Sequence, residues 1–365
     1  MAKKLRFVAF GLALSVGLLG LSGPARATTQ PVDLHRSITY RPWILLRILF
    51  DYMWRDFGRI DDPAVFVATT RHNPWTQTIN GVASQLPGGT TTSVSTLVWA
   101  GFDMSDHLSL GANQRLAIGG FYRRDWAWTE QAGADQSAHT NGLGFVFGYH
   151  FDDWHLSGGA GFDWGGAKIT SFPSGNVGNF DTNGHFGALK FGRVFTVWGD
   201  RMPADRAAPV GFPFSVRQIS VYFDPNFHVG YSRTSADAFT NSGGTPFGKA
   251  IERFWTVGGS FTLSAVLPQT DGPIWRPYIE FSVDRQVGYR HTIDLPATSQ
   301  VAYLNHDKTY WGVNGGLAVW VNPNVSLGAS GFYRGSGSQD TGGGLFWVRV
   351  NLFGPGGYLR GAFNR

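Results

Sequence analysis

Charged residues make up only 15% of this chain, so each one set within an apolar stretch calls for a chemical reason. Seven stand out: Arg123, Asp163, Arg276, Glu280, Asp284, Arg334 and Arg349. They lie in segments where large apolar side chains alternate with Gly, Ser and Thr, and they share the register of the small residues. Opposite charges on one such face can pair as a structural network or line an aqueous passage, and the residues alone favour neither. Nucleophilic and metal chemistry have less support. The chain has no Gly-x-Ser-x-Gly elbow and no His-Glu-x-x-His pair. Its ten His residues are scattered singly: His150 and His155 flank a turn, and His185 and His228 lie in strands. They read as polar lining or interfacial side chains. With no Cys there is neither a disulfide framework nor a thiolate site. No catalytic residue, metal or cofactor is expected.

The elements that must position these charges are strands. Alternation and turn residues mark twelve candidates near 74–84, 93–104, 114–124, 141–151, 154–169, 184–198, 216–236, 253–267, 274–290, 308–322, 324–335 and 342–353. Leu143, Phe145, Phe147, Tyr149 and Phe151 alternate with Gly142, Gly144, Val146, Gly148 and His150. Trp255, Val257, Phe261, Leu263 and Ala265 alternate with Thr256, Gly258, Ser260, Thr262 and Ser264. A soluble sandwich packs its apolar face inward and shows Lys, Glu and Thr to water. Here the second face is small and polar, with isolated charges, and aromatics recur near strand ends. That pattern suits an all-β, transmembrane, antiparallel up-and-down β-barrel of about twelve strands, apolar outside and polar inside. Lipid satisfies no free backbone group, so such a sheet must close on itself. After residue 27 no apolar run is long enough for a membrane helix.

The ends of the chain carry different signals. Lys3, Lys4 and Arg6, an apolar run from Phe7 to Leu21, and Ala25-Arg26-Ala27 predict a cleaved signal peptide over 1–27. Its loss removes four positive charges and no acids, Lys3, Lys4, Arg6 and Arg26, taking the net charge from +5 to +1. Nucleic-acid binding then loses its electrostatic basis. Within 28–72, a helix over 42–57 is expected between Pro42 and Gly58. Arg47, Asp51 and Arg55 share one face of it, and apolar residues cover most of the rest. At about 24 Å it has three possible places: inside the barrel as a plug, on a bilayer surface or partner groove, or packed on the barrel wall. The barrel is expected over 73–353 and a tail over 354–365.

Link lengths assign sides. Tight links at Asp152-Asp153, 268–273 and Asn322-Pro323-Asn324 follow strands four, eight and ten, which are periplasmic positions if both barrel ends are periplasmic. Longer links are expected at 125–140, 170–183, 237–252 and 291–307, facing outward. The link 199–215 is long where a short turn is expected. Asp224-Pro225-Asn226 also interrupts 216–236 as a turn would, although one long strand is preferred there.

Several stretches resemble autotransporter translocator domains. Asn73-Pro74-Trp75, Ala100-Gly101-Phe102-Asp103 and Leu116 to Tyr122 are similar to the start of such a barrel. Tyr222 to Tyr231 with Asp237-Ala238-Phe239-Thr240 is similar to its middle, and Trp275 to Phe281 with Val348 to Phe353 to its end. The resemblance covers roughly 73–353 and implies a twelve-stranded outer-membrane barrel. It departs from the family in having only 28–72 ahead of the barrel, too little for the usual passenger, and in continuing past Phe353. The function expected is therefore a pore or a surface-structural role. Translocation of a short N-terminal segment and a lipid hydrolase with a rim site are the alternatives. Expected partners are outer-membrane lipid, lipopolysaccharide and the barrel-assembly machinery. No nucleic acid is expected, and no extracellular ligand is specified.

Overall fold

The computed structural model describes residues 63–72, 75–79, 82–86, 89–104, 108–111, 113–131, 134–171, 174–201, 216–269, 272–295, 300–305, 309–322, 325–336 and 339–350. The expected leader 1–27, helix 42–57 and tail 354–365 lie outside these residues.

Twelve strands build the wall: β1 (Pro63–His72), β2 (Gly89–Asp103), β3 (Gln114–Gln131), β4 (Ala134–Phe151), β5 (Trp154–Ser171), β6 (Val177–Arg193), β7 (Ser220–Ala236), β8 (Ala250–Val266), β9 (Ile274–Leu295), β10 (Thr309–Asn322), β11 (Val325–Gly335) and β12 (Gln339–Val350). Each pairs antiparallel with the next in sequence. β12 returns to β1 from Ala64↔Trp347 to His72↔Gln339, which closes the ring and leaves the wall no free edge.

Burial along the strands is inverted relative to a soluble protein. Arg123 is 1% exposed and Phe145, on the neighbouring strand, is 58% exposed. Outward faces carry Leu143, Phe162, Leu189, Phe227, Phe261, Phe281 and Val321, while inward faces carry Thr129, Ser157, Thr182, Ser232, Thr256 and Ser326. An Arg or Lys on the lipid face at midplane costs about 2–4 kcal/mol, so the alternation selects this sidedness.

The apolar band is shorter than the strands. On β4 the outward residues run Asp135, Ser137, His139 and Asn141 before Leu143 and Phe145 begin the band. The wall therefore continues beyond the bilayer on this side. This corrects the expected long link at 125–140: β3 and β4 stay paired from Gln114↔Phe151 to Gln131↔Ala134. Strand also reaches into the other expected loops, with β6 starting at Val177 and β9 ending at Leu295. Outside the lipid both faces are polar, so period-two hydrophobicity vanishes although backbone pairing persists.

The barrel also begins earlier than expected. Its first strand is β1, and the stretch 74–84 contributes instead to a hairpin, Trp75–Ile79 with Val82–Leu86, in the β1–β2 link. That hairpin pairs with Gln300–Asn305 from the β9–β10 link. β1 reads PAVFVATTRH and lacks the recurrent aromatics that mark other strands, whereas Trp75 imitates a strand opening.

β7 is one continuous strand through Asp224-Pro225-Asn226. On its β6 side, pairing passes from Phe223↔Phe195, with the short strand Phe195–Trp198, to Asn226↔Gly192, and the intervening Val194 amide bonds to Asp153 O instead. Pro225 sits in that gap, where a residue with no N–H interrupts no ladder bond.

The tight links after β4, β8 and β10 share one end of the barrel, the turn side. The long β6–β7 link lies there too, held by Asp200. Its carboxylate accepts from the amides of Arg217 (2.7 Å) and Gln218 (3.3 Å) and from Gln218 Nε2 (2.8 Å), while Tyr222 Oη donates to its carbonyl (2.9 Å). The Arg217 amide, then the Gln218 side chain, hold the Asp200 carboxyl below the usual carboxylate range. A pKa lowered by folding means that the brace is intact above the ordinary range and is lost as pH falls through the lowered value. Asp200→Asn should increase limited proteolysis within 202–215 at neutral pH, and pepsin at strongly acid pH should cut variant and wild type alike. Equal cutting at neutral pH would take this role from Asp200.

Candidate functional site

The inner wall carries the charges, and glycines decide how they meet. Arg123 on β3, Gly142 on β4 and Asp163 on β5 stand at one register level. With no side chain at Gly142, the guanidinium lies across β4 and reaches Asp163 Oδ1 at 2.6 Å, while its Nε contacts Asp125 at 3.0 Å. A Cβ at position 142 would overlap Asp163 Oδ1 and lie 3.2 Å from Arg123 Nε. Phe186 closes the arrangement from the side, 5.6 Å beneath the guanidinium.

The same construction recurs around the lumen. His155 on β5 passes over Gly192 on β6 to Asp224 on β7, at 2.9 Å. His228 on β7 passes over Gly258 on β8 and bonds Asp284 on β9. A Cβ at Gly258 would lie 2.6 Å from His228 Nε2. Arg334 on β11 reaches Asp284 at 3.2 Å from beyond Gly312 on β10, and its guanidinium lies 4.3 Å from the Tyr310 ring centre. Asp284 thus receives a base from each side.

The seven charges singled out in the sequence fall as follows. Arg123 and Asp163 pair with each other, and Asp284 and Arg334 do so too. Glu280 is buried and accepts from Thr262 Oγ1 at 3.3 Å; Arg276 is buried and donates to Ser264 Oγ at 3.4 Å. Arg349 lies opposite Ser326 in β12, and its side chain is outside the described residues. His155 and His228, read from the sequence only as unpaired polar lining or interfacial side chains, are buried and bonded to carboxylates, and sequence reasoning missed Asp125, Asp224, Lys190 and Glu252, all buried. Asp125 fell just past the expected end of its strand, and Asp224 was hidden in an apparent turn. The usable signal was a Gly on the intervening strand at the same level. Among the described residues, no three His, Asp or Glu side chains gather as a metal site.

Aromatic rings border the apolar band at both ends, as in membrane barrels. On the turn side Tyr149, Phe151, Trp154 and Phe191 stack in succession, with centroids 5.6, 6.4 and 5.1 Å apart. On the loop side Tyr231 meets Trp255 at 4.9 Å and Trp311 meets Tyr333 at 5.1 Å.

No protein-family model and no curated protein matches the sequence. Solved structures do. The transport unit of the autotransporter AIDA-I from Escherichia coli superposes with a TM-score of 0.64 at 11% identity, covering 89% of this chain and all of that one. The translocator domain of NalP from Neisseria meningitidis gives 0.60 at 14%, covering 88% and 100%. The fold is that of an autotransporter translocator barrel. The β domain of Bordetella BrkA agrees, with a TM-score of 0.51 at 13% identity over 79% of this chain and 98% of its own. At these identities the likeness concerns the translocator-type fold, and no lumenal residue is carried over from it.

Breaking one partner of a buried pair costs about 3–5 kcal/mol, much more than replacing the whole pair by apolar groups. Arg123→Met should therefore lower the temperature at which the folded barrel loses its compact gel mobility, and Arg123→Met with Asp125→Leu and Asp163→Leu should recover part of the loss. Gly142→Ala should destabilise comparably with Arg123→Met and add little to it. Full additivity of those two changes would show that Gly142 does not serve this ion pair.

Proposed function

We propose that the chain is an integral outer-membrane protein whose polar lumen serves as a pore, without an enzymatic role. The observation that carries this reading is the inverted wall: a closed ring of twelve strands with apolar side chains outside and polar and ionisable side chains within. Strands about 4.8 Å apart and tilted by roughly 40° give a backbone tube about 24 Å across. That is wide enough for inward side chains and for water or a chain segment between them. An apolar exterior supports residence in a bilayer, and a closed β-wall supports the outer membrane in particular.

A second reading, passage of the chain's own N-terminal segment, is favoured by the likeness to the transport unit of AIDA-I and the translocator domain of NalP. Bilayer conductance of the refolded protein, with and without residues 28–62, separates the readings. The pore should conduct in at least one form, and Asp163→Asn with Asp284→Asn should shift its selectivity towards anions. Silence in both forms would reject the pore and leave a surface-structural role. A tag after Thr28 that becomes protease-accessible on intact cells would support passage of the N-terminal segment. Turnover of phospholipid or lipid A by the refolded protein would replace both with an enzyme.

A further inference from the structure

At the loop-side border, the outward face carries a row of bases at one register level. His185 on β6 stands opposite Arg233 on β7, Arg233 opposite Arg253 on β8, and Arg253 opposite Arg290 on β9. All four are exposed. Neighbouring strands are about 4.8 Å apart, so four positive or protonatable groups share roughly 15 Å of wall. Among the described residues, Arg233, Arg253 and Arg290 have no carboxylate within ion-pair distance. Like charges directly opposite each other on a sheet are destabilising, so the row costs stability that the wall does not need.

A bulge in β9 creates part of this row. Pairing steps from Arg253↔Arg290 to Trp255↔Val287, giving β9 one extra residue, with Gly288 at a φ of +60°. Before the bulge, odd-numbered residues of β9 face out, among them Phe281, Val283 and Val287; beyond it Arg290 does, while Tyr289 turns inward to meet Phe254 at 6.2 Å. In an unbroken strand Arg290 would point into the lumen. Bulges re-aim side chains in this way. Directly on the membrane side of the row lie Tyr231, Trp255 and Val287, with Trp255 50% exposed. Aromatic girdles of this kind sit at the headgroup level, and guanidinium groups bind phosphate with paired hydrogen bonds.

We infer that His185, Arg233, Arg253 and Arg290 form a binding site for the phosphorylated headgroup of an outer-leaflet glycolipid, the lipid A portion of lipopolysaccharide. Its acyl chains lie on the apolar wall beside Tyr231 and Trp255. The occupant follows from charge complementarity at that depth: acyl chains below, phosphate at the arginine row, sugar above along the polar extension of the wall.

This inference rests on the membrane-spanning reading, and the two are separated by inserting the full chain into phosphatidylcholine vesicles first. Failure to insert would count against the barrel reading itself. Inserted wild-type protein, extracted in mild detergent with bis-phosphorylated lipid A and weighed intact in the mass spectrometer, should retain lipid A. Arg253→Gln with Arg290→Gln should insert equally and reduce retention at least tenfold. Arg217→Gln, a loop arginine on the turn side, should not change it. Dephosphorylated lipid A should not be retained. Equal retention by the double variant, equal retention of phosphatidylglycerol, or full displacement by millimolar inorganic phosphate would overturn the site.

Discussion

Hydrocarbon accepts no hydrogen bonds, and every other feature of this chain follows from that. A sheet in lipid leaves no backbone group unpaired only if its last strand finds its first. Here β12 does so along nearly the whole of β1, although β1 is the strand with the least distinctive sequence. Closure turns the usual logic of burial inside out. The face that would be a core in a sandwich becomes the exterior, and the polar face becomes a confined interior in which charges must find one another.

The confined interior explains the glycine content better than flexibility does. Of 50 glycines, several stand on inward faces between an acid and a base, and Gly142, Gly192, Gly258 and Gly312 each leave a gap that a neighbouring side chain fills or crosses. A pair on adjacent strands couples two strands; a pair spanning a glycine couples three. Asp284, with His228 on one side and Arg334 on the other, links strands from β7 to β11. In a wall whose outer face makes only lipid contacts, such inner crossings replace the side-chain packing that a soluble core would supply.

The exterior has its own division. Between the two aromatic borders it is mostly apolar, with Arg285 exposed beside the loop-side border, and beyond that border it turns polar while the strands continue. The arginine row stands at that transition. A single inserted residue near Gly288 changes which face Arg290 belongs to, so one backbone irregularity assigns a charge to the membrane surface rather than to the lumen.

Much of this was legible in the chain itself. Alternation of Phe145, Phe147 and Tyr149 with Gly144, Val146 and Gly148 revealed a two-faced strand, the dipeptide Asp152-Asp153 revealed a tight turn, and parity of the turns assigned sides, because side-chain period and link length are local properties. Outside the bilayer that local signal fades, so the sequence pattern around Gln131 and Ala134 looks like a loop and that of β1 does not stand out from the segment before the barrel. Single residues such as Arg123 and Asp163 could be placed on the inner face, since residue parity is local too. Which inner acid meets which inner base could not be read, because that depends on register between strands and on what stands between them. The sequence by itself determined a closed, lipid-facing β-wall with a polar interior. Only the tertiary structure decided that Arg123 crosses Gly142, that Asp284 is shared, and that Arg290 faces outward, because each depends on interstrand register rather than on spacing along one strand.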